Sequence, residues 1–109
     1  MVFNSEGQPQ TQAAVFTRYA KFGQTLQQAV SAPRWLLGRT WGDETTSLKL
    51  ESRFPVELIQ ALKNAGHVIE VLPEAFSDTM GHAGALVRHA NGVIEGAADP
   101  RSDGAVAAW

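Results

Sequence analysis

The densest group of chemically able side chains lies in the run Asp99-Pro100-Arg101-Ser102-Asp103-Gly104, which puts two carboxylates, a guanidinium and a hydroxyl within six residues. A guanidinium holds a carboxylate through parallel N–H donors. Such a loop is either solvated or locked by Asp–Arg pairing, and the locked form holds the chain end against the rest of the domain. The three histidines, His67, His82 and His89, have no metal-ligand spacing, and no carboxylate accompanies them at i+3 or i+4 on a helix. His67 follows Gly66 at a helix end, where a cation favours the terminus. Metal binding or acid–base work by any of the three stands against such helix-end and surface roles. Thr45, Thr46 and Ser77 carry hydroxyls without a visible base. Gly81 and Gly84 are followed by neither a Lys-Ser/Thr pair nor a GxGxxG pattern, so no phosphate loop is expected. Trp35 and Trp41 are either a stacking platform or anchors of a core or interface. Taken by themselves, these residues describe an α/β domain without a self-contained active site, and they call for no metal and no cofactor.

The whole chain bounds that reading. Its 109 residues suffice for one domain, 1–109, with a real core and a modest margin of stability. A net charge of −2 and the absence of any basic run argue against nucleic acid or an anionic membrane as partner. There is no cysteine, which excludes a disulfide framework and a thiolate metal site. The opening residues have neither a basic n-region nor an apolar h-region, and no run approaches the ~18 apolar residues of a membrane span. The chain expressed as it stands is expected in the cytoplasm.

The elements that must position these side chains read as α, α, β, β, α, β, β, β. Residues 1–10 look like a loop, with Gly7 and Pro9 as breakers. Ala13, Phe16 and Ala20, with Val15, Tyr19 and Phe22 beside them, recur at helical spacing over 10–22, and Gly23 stops the helix. Thr25 and Gln28 form a capping box that opens a short helix to Ser31, halted by Ala32-Pro33. Trp35, Leu36, Leu37 and Trp41 suggest an extended segment, 42–45 a turn, and 47–51 a half-buried alternating strand. Pro55, Glu57 and Gly66 bracket a helix over 55–65 that turns Leu58, Ile59 and Leu62 inward. A strand over 67–72 and a connector over 73–84 follow. Asn91-Gly92 then sits between two apolar-rich runs, 85–90 and 93–98, and predicts a hairpin with a two-residue type I′ turn. In that hairpin Leu86, Arg88 and Ala90 share one face, and Val87 and His89 the other.

Three blocks carry a resemblance across nearly the whole chain. They are Phe22-Gly23-x-Thr25-Leu26-Gln27-x-Ala29-Val30-x-Ala32-Pro33-Arg34-Trp35, then Gly66-His67, then Ala97-Ala98-Asp99-Pro100-Arg101-x-Asp103-Gly104-Ala105. In this order they resemble the C-terminal half of the small subunit of gamma-glutamyltransferases (gamma-glutamyltranspeptidases). Gly7-Gln8-Pro9-Gln10-Thr11-Gln12 is similar to a sub-branch of gamma-glutamyltransferase-like proteins.

The resemblance implies an α+β fold. It is part of the αββα sandwich of an N-terminal-nucleophile hydrolase, with mainly antiparallel sheet and helices packed on it. It further implies a precursor that cleaves itself, so that the new N-terminal threonine attacks a gamma-glutamyl amide with its own α-amine as base. The glutamyl group then passes to water or to an amino acid or peptide acceptor. The family's oxyanion-binding Gly-Gly turn falls on Asn4 and Ser5, where Asn is the more tolerant of a positive φ; the alternative for Asn4-Ser5 is a frayed terminus. No catalytic side chain is expected within the chain, because the nucleophile threonine lies N-terminal to it. The Arg34 block is expected to be structural, with Arg34 pairing a carboxylate and Trp35 packing on the sheet, and Asp99 and Arg101 are expected to be structural as well. Two functions follow: a C-terminal portion of a gamma-glutamyltransferase-like enzyme, inactive alone, or a catalytically dead association or scaffold domain derived from that family. Its partner is then either the large-subunit or N-terminal part, or a second copy that makes a homo-oligomer.

Overall fold

A computed structural model of the protein describes residues 2–3, 7–38 and 46–109. The expectations for Asn4, Ser5, Trp41 and the turn at 42–45 lie outside the described residues. The described elements run β1 (Val2–Phe3), α1 (Gln8–Ala20), α2 (Leu26–Ser31), β2 (Trp35–Leu37), β3 (Leu48–Leu50), α3 (Val56–Asn64), β4 (Ile69–Val71), a 3-10 turn (Asp78–Met80), β5 (Ala83–Arg88) and β6 (Ile94–Ala97). They form two three-stranded sheets, ordered β1-β5-β6 and β2-β3-β4. Every pairing is antiparallel except β3 with β4. Those two strands are joined through α3, the crossover that a parallel pair requires. The α+β class and mainly antiparallel pairing read from the sequence hold.

The N-terminal segment departs from the expected loop. Val2 pairs with Gly84 and Phe3 with Ala83, which adds β1 to the edge of β5. Helix α1 then begins at Gln8, because Pro9 falls in the first turn, where its missing N–H has no intrahelical acceptor to lose. At its other end Gly23 takes a φ of 69°, and Gln24 N–H returns to the Arg18 carbonyl at 3.1 Å. The expected stripe on α1 is also rotated. Thr11 and Val15 are buried, whereas Phe16 is 59% and Phe22 69% exposed. The capping box on α2 is present as read: Thr25 Oγ1 accepts from Gln28 N–H, and Gln28 Oε1 accepts from Thr25 N–H.

The main core gathers Val15 from α1, Leu26, Ala29 and Val30 from α2, and Ala83, Ala85 and Ala97 from the hairpin, with Tyr19 and Val87 beside it. The alanines on β5 and β6 leave room for α2 to lie close on the sheet. A second cluster holds Leu36, Leu72 and Met80.

Residues 47–51 do not alternate. All five are buried, because β3 is the central strand of its sheet and its polar side chains find partners. Lys49 Nζ donates to Gly38 O at 3.1 Å and lies 3.6 Å from Glu70 Oε2. Helix α3 differs too. No residue of it is fully buried, and Leu58 is 42% exposed, so its apolar side is only partly covered within this chain.

The hairpin is present, but its turn is longer than expected. Gly92 N–H donates to His89 O at 2.9 Å, and His89 N–H to Val93 O at 2.8 Å. The turn therefore spans 89–92, with Ala90 and Asn91 central and Gly92 in the left-handed position at φ 87°. This is a three-residue loop with a glycine bulge rather than a type I′ pair. Asn91 Oδ1 accepts from Val93 N–H at 3.0 Å and fixes the loop locally. The inward face is that of Ala83, Ala85 and Val87, and Leu86 points outward at 72% exposure.

Gly92→Val isolates the backbone requirement, since a Cβ at Gly92 meets nothing within 4 Å. It should cost roughly 1–2 kcal/mol, the penalty for a left-handed L-residue, read as a lower urea midpoint. An unchanged midpoint contradicts the turn geometry.

Candidate functional site

The chemically able residues converge on the interior rather than on a cleft. Arg34, Glu51, Asp99 and Arg101 are between 0% and 5% exposed. Arg34 follows Pro33 at the entry to β2, Glu51 follows β3, and Asp99 and Arg101 follow β6. Burial of four charges is costly unless each is paired and hydrogen-bonded. Here nearly every donor and acceptor is used.

Asp99 Oδ2 accepts from Arg34 Nη2 and from the Ala83 N–H at 2.6 Å; its Oδ1 accepts from the Arg101 N–H and Arg101 Nη1, both at 3.0 Å. Glu51 Oε1 accepts from Arg101 Nε at 2.6 Å and the Ser77 N–H at 2.9 Å. Its Oε2 accepts from Arg101 Nη2 at 2.5 Å, the Arg34 N–H at 2.9 Å and Arg53 Nη2 at 3.3 Å. Arg101 spends its remaining donors on Val30 O and Ala32 O. Arg34 adds Val30 O and Gly81 O, and its Nε is the one donor of the two left without an acceptor.

The arginines also close the end of α2. Five successive carbonyls accept from guanidiniums: Ala29 and Pro33 from Arg18, Val30 from Arg34 and Arg101, Ser31 from Arg53, and Ala32 from Arg101. Those of residues 29–32 are carbonyls that the helix terminus leaves without intrahelical partners, at the negative end of its dipole, and that of Pro33 follows the cap.

The surroundings fix the protonation states. Burial by itself raises the Glu51 pKa, but the Arg101 hydrogen bonds and the N–H groups of Arg34 and Ser77 outweigh it and hold the carboxyl below its ordinary range. Asp99 is likewise lowered against burial, by the N–H groups of Arg101 and Ala83 and by Arg34. The Arg34 guanidinium is lowered by burial and then by the nearby Arg101 charge, whereas Arg101 is raised despite burial through its contacts with Glu51 and Asp99. Both guanidiniums remain cationic. Of the two forms open to the 99–104 loop, the locked one is present, and the carboxylate that pairs with Arg34 is Asp99.

The other sequence candidates do not assemble. His82 Nε2 lies 3.2 Å from Asp78 Oδ1 at the surface, and His89 Nε2 lies 2.9 Å from Glu95 Oε2 across the hairpin. Among the described residues no three His, Asp or Glu side chains cluster as metal ligands, and no helix is long and apolar enough to cross a membrane. Ser77 Oγ caps the 3-10 turn by accepting from Thr79 N–H, and Ser102 Oγ donates to Asp99 O. Trp35 is half-buried on β2. Sequence reasoning missed Glu51, read only as a strand position. Its signal was a lone carboxylate inside the strand next to the arginine-rich blocks.

Beside this cluster a groove of about 550 Å3 runs between β5, the end of β6 and the segment 104–107. Ala83, Ala85, Leu86, Ala97 and Val106 line it, with Asp99 and Ser102 at its side. Val106 sits over Gly96, where a Cβ would fall 2.8 Å from its Cγ1.

The two small sheets bearing helices have the α+β fold of solved acylases and gamma-glutamyltranspeptidases, which are N-terminal-nucleophile hydrolases. The fold is similar to that of cephalosporin acylase from Bacillus halodurans at a TM-score of 0.78 and 35% identity, over 93% of this chain and 18% of that one. The transpeptidase CapD of Bacillus anthracis, 20% identical, shares the fold at a TM-score of 0.72 over 93% of this chain and 57% of its own. Residues 5–109 match the gamma-glutamyltranspeptidase family model, and the chain belongs to that family. Among curated relatives, the oxamate amidohydrolase proenzyme of Klebsiella pneumoniae is 59% identical over all of this chain and 21% of its own length. The glutathione hydrolase-like YwrD proenzyme of Bacillus subtilis is 49% identical over 92% and 19%. The chain thus spans about a fifth of the curated relatives it matches.

Glu51→Gln and Asp99→Asn should each destabilise the chain by roughly 3–5 kcal/mol, since each leaves buried guanidiniums without a counter-charge. Both carboxyls have lower pKa values folded than unfolded. Their stabilisation is therefore complete above the unfolded values, at about pH 4, and is lost as the pH falls through the folded ones. Acid titration followed by circular dichroism should show a shallower pH dependence for either variant. An acid limb identical to that of the parent contradicts the arrangement.

Proposed function

We propose that this chain is the C-terminal, scaffold-forming portion of a gamma-glutamyltransferase-like amide hydrolase, and that it turns over substrate only together with polypeptide that carries an N-terminal threonine. The observation that carries this reading is the match to two proenzymes at 59% and 49% identity, of which the chain spans about a fifth. In this reading the threonine Oγ attacks an amide carbonyl, its α-amine takes the proton, and the amine leaves before water or an acceptor releases the acyl group. The more similar relative, named as an oxamate amidohydrolase, favours a small amide-bearing acid as substrate.

Asn4 and Ser5 are assigned the oxyanion role through their backbone N–H groups. Support comes from what flanks them: β1 ends at Phe3, opposite Ala83, whose N–H is fixed by Asp99, and α1 begins at Gln8. The buried cluster thereby sets the entry to this segment.

The test is a chimera in which this chain replaces the matching segment of the Klebsiella proenzyme. It should process itself and release ammonia from oxamate, while the 109 residues alone release none. A soluble, processed chimera without activity contradicts the reading. In an active chimera, Ser5→Pro removes one N–H donor and should lower kcat about 10²–10³-fold, the range for one lost oxyanion donor; an unchanged kcat removes Ser5 from the role.

A second reading, an association domain, is favoured by the apolar outer face of the hairpin, where Leu86 and Ile94 are 72% and 66% exposed and β6 is an edge strand. Taken alone, the chain should pair with a second copy through this face. Sedimentation at micromolar concentration should give a dimer or higher oligomer, and a stable monomer refutes it.

A further inference from the structure

Asn91 and Gly92 lie side by side at the hairpin tip, and both are exposed. An asparagine carboxamide is within reach of the backbone nitrogen that follows it, and the two can close a succinimide ring. A glycine after the asparagine leaves that nitrogen uncrowded, because it has no Cβ. No neighbour takes up the room either, since a Cβ built at Gly92 meets nothing within 4 Å. Asn64 is placed differently. Its Oδ1 accepts from Gln60 Nε2 at 3.0 Å, and the N–H of the following Ala65 donates to Ala61 O at 3.0 Å at the end of α3.

The turn keeps the reacting atoms apart. Gly92 N–H donates to His89 O at 2.9 Å, His89 N–H to Val93 O at 2.8 Å, and Val93 N–H to Asn91 Oδ1 at 3.0 Å. In the type I turn of such a loop the third residue, here Asn91, holds ψ at roughly 0°. That angle carries the Gly92 nitrogen away from the Asn91 side chain. Ring closure therefore needs Asn91 ψ to rotate and the Gly92 bond to His89 O to break. Both are local events at an exposed loop tip, where opening costs far less than unfolding the chain.

We propose that Asn91 is a site of spontaneous covalent modification, gated by opening of the 89–92 turn. In the opened turn the Gly92 nitrogen gives its proton to solvent base and attacks Asn91 Cγ. The new N–C bond forms as Cγ–Nδ2 breaks, and Nδ2 leaves as ammonia. Water then opens the succinimide. Addition at Cγ gives aspartate; addition at the Asn91 carbonyl carbon gives isoaspartate, with the main chain rerouted through Cγ. Either product puts a carboxylate at the tip, and isoaspartate lengthens by a methylene the bend that joins β5 to β6.

Trypsin cuts after Arg88 and Arg101, and the peptide 89–101 contains Asn91 and no other carboxamide side chain. Released beforehand, this peptide lacks its partner strand β5 and serves as the open-turn reference. The intact chain and the free peptide are aged side by side in mildly alkaline buffer, at a temperature where the chain stays folded. The amide-to-acid mass shift in 89–101 is followed, with the two acid isomers separated by chromatography. Both samples should convert with isoaspartate among the products. The intact chain should do so roughly 10–10²-fold more slowly, the combined weight of the turn's three hydrogen bonds. Asn91→Gln keeps a carboxamide but closes only a larger and slower ring, so it should stay unmodified. Equal rates in chain and peptide, products without isoaspartate, or no conversion of the folded chain within that range overturns the proposal.

Discussion

Arg101 is the residue on which the other contacts depend. Its planar guanidinium has five N–H donors in a fixed fork, and all five are used: two on Glu51, one on Asp99, and one each on Val30 O and Ala32 O. Lysine has neither the number of donors nor the planarity to make this set. The acceptors come from three segments distant in sequence, so the fork fixes the end of α2, the end of β3 and the exit from β6 against one another. A buried ion cluster is no more stabilising than apolar packing of the same volume. Its effect is on specificity, since any other arrangement leaves charges buried without partners.

The cluster is also the joint between the two sheets. Asp99 takes the Ala83 N–H at the start of β5 and so ties in the β1-β5-β6 sheet. Glu51 follows directly on β3 and takes the N–H groups of Arg34 and Ser77, which tie in the β2-β3-β4 sheet. Because the arginines cap α2 as well, the helix that covers the main core has its position set from both sheets at once. Ala83 stands opposite Phe3, so the carboxylate that holds the Ala83 N–H also orders the edge where β1 joins β5.

Local signals in the sequence reported faithfully where local physics decides the outcome. The Thr25–Gln28 capping box, the stop at Gly23 and the presence of a hairpin around Asn91-Gly92 needed no distant partner to be read, although the turn type of that hairpin was misread. Readings failed where tertiary context decides. Phe16 fits the periodic stripe of α1, yet the side that meets α2 and the sheet is that of Thr11 and Val15. Lys49 reads as an outward strand position, yet its strand is central and its ammonium is held by Gly38 O and Glu70. The strand character of Val2–Phe3 depends wholly on pairing with β5, 80 residues away. Pairing by Asp99 and Arg101 was legible from composition, whereas Glu51, which completes the cluster, sits in a strand whose neighbours no local pattern reveals. Two of the three family blocks hold the cluster's own residues, Arg34 in one and Asp99 and Arg101 in the other.

The central claim is that the arginine–carboxylate joint opens only when the whole chain unfolds. Native-state hydrogen exchange at the four backbone N–H groups that donate to the buried carboxylates, those of Arg34, Ser77, Ala83 and Arg101, tests it most directly. The account predicts that all four exchange at one slow rate, with the free energy and denaturant dependence of global unfolding, while the His89 N–H at the hairpin tip exchanges faster. Exchange of the four at separate rates, through local openings insensitive to denaturant, contradicts it.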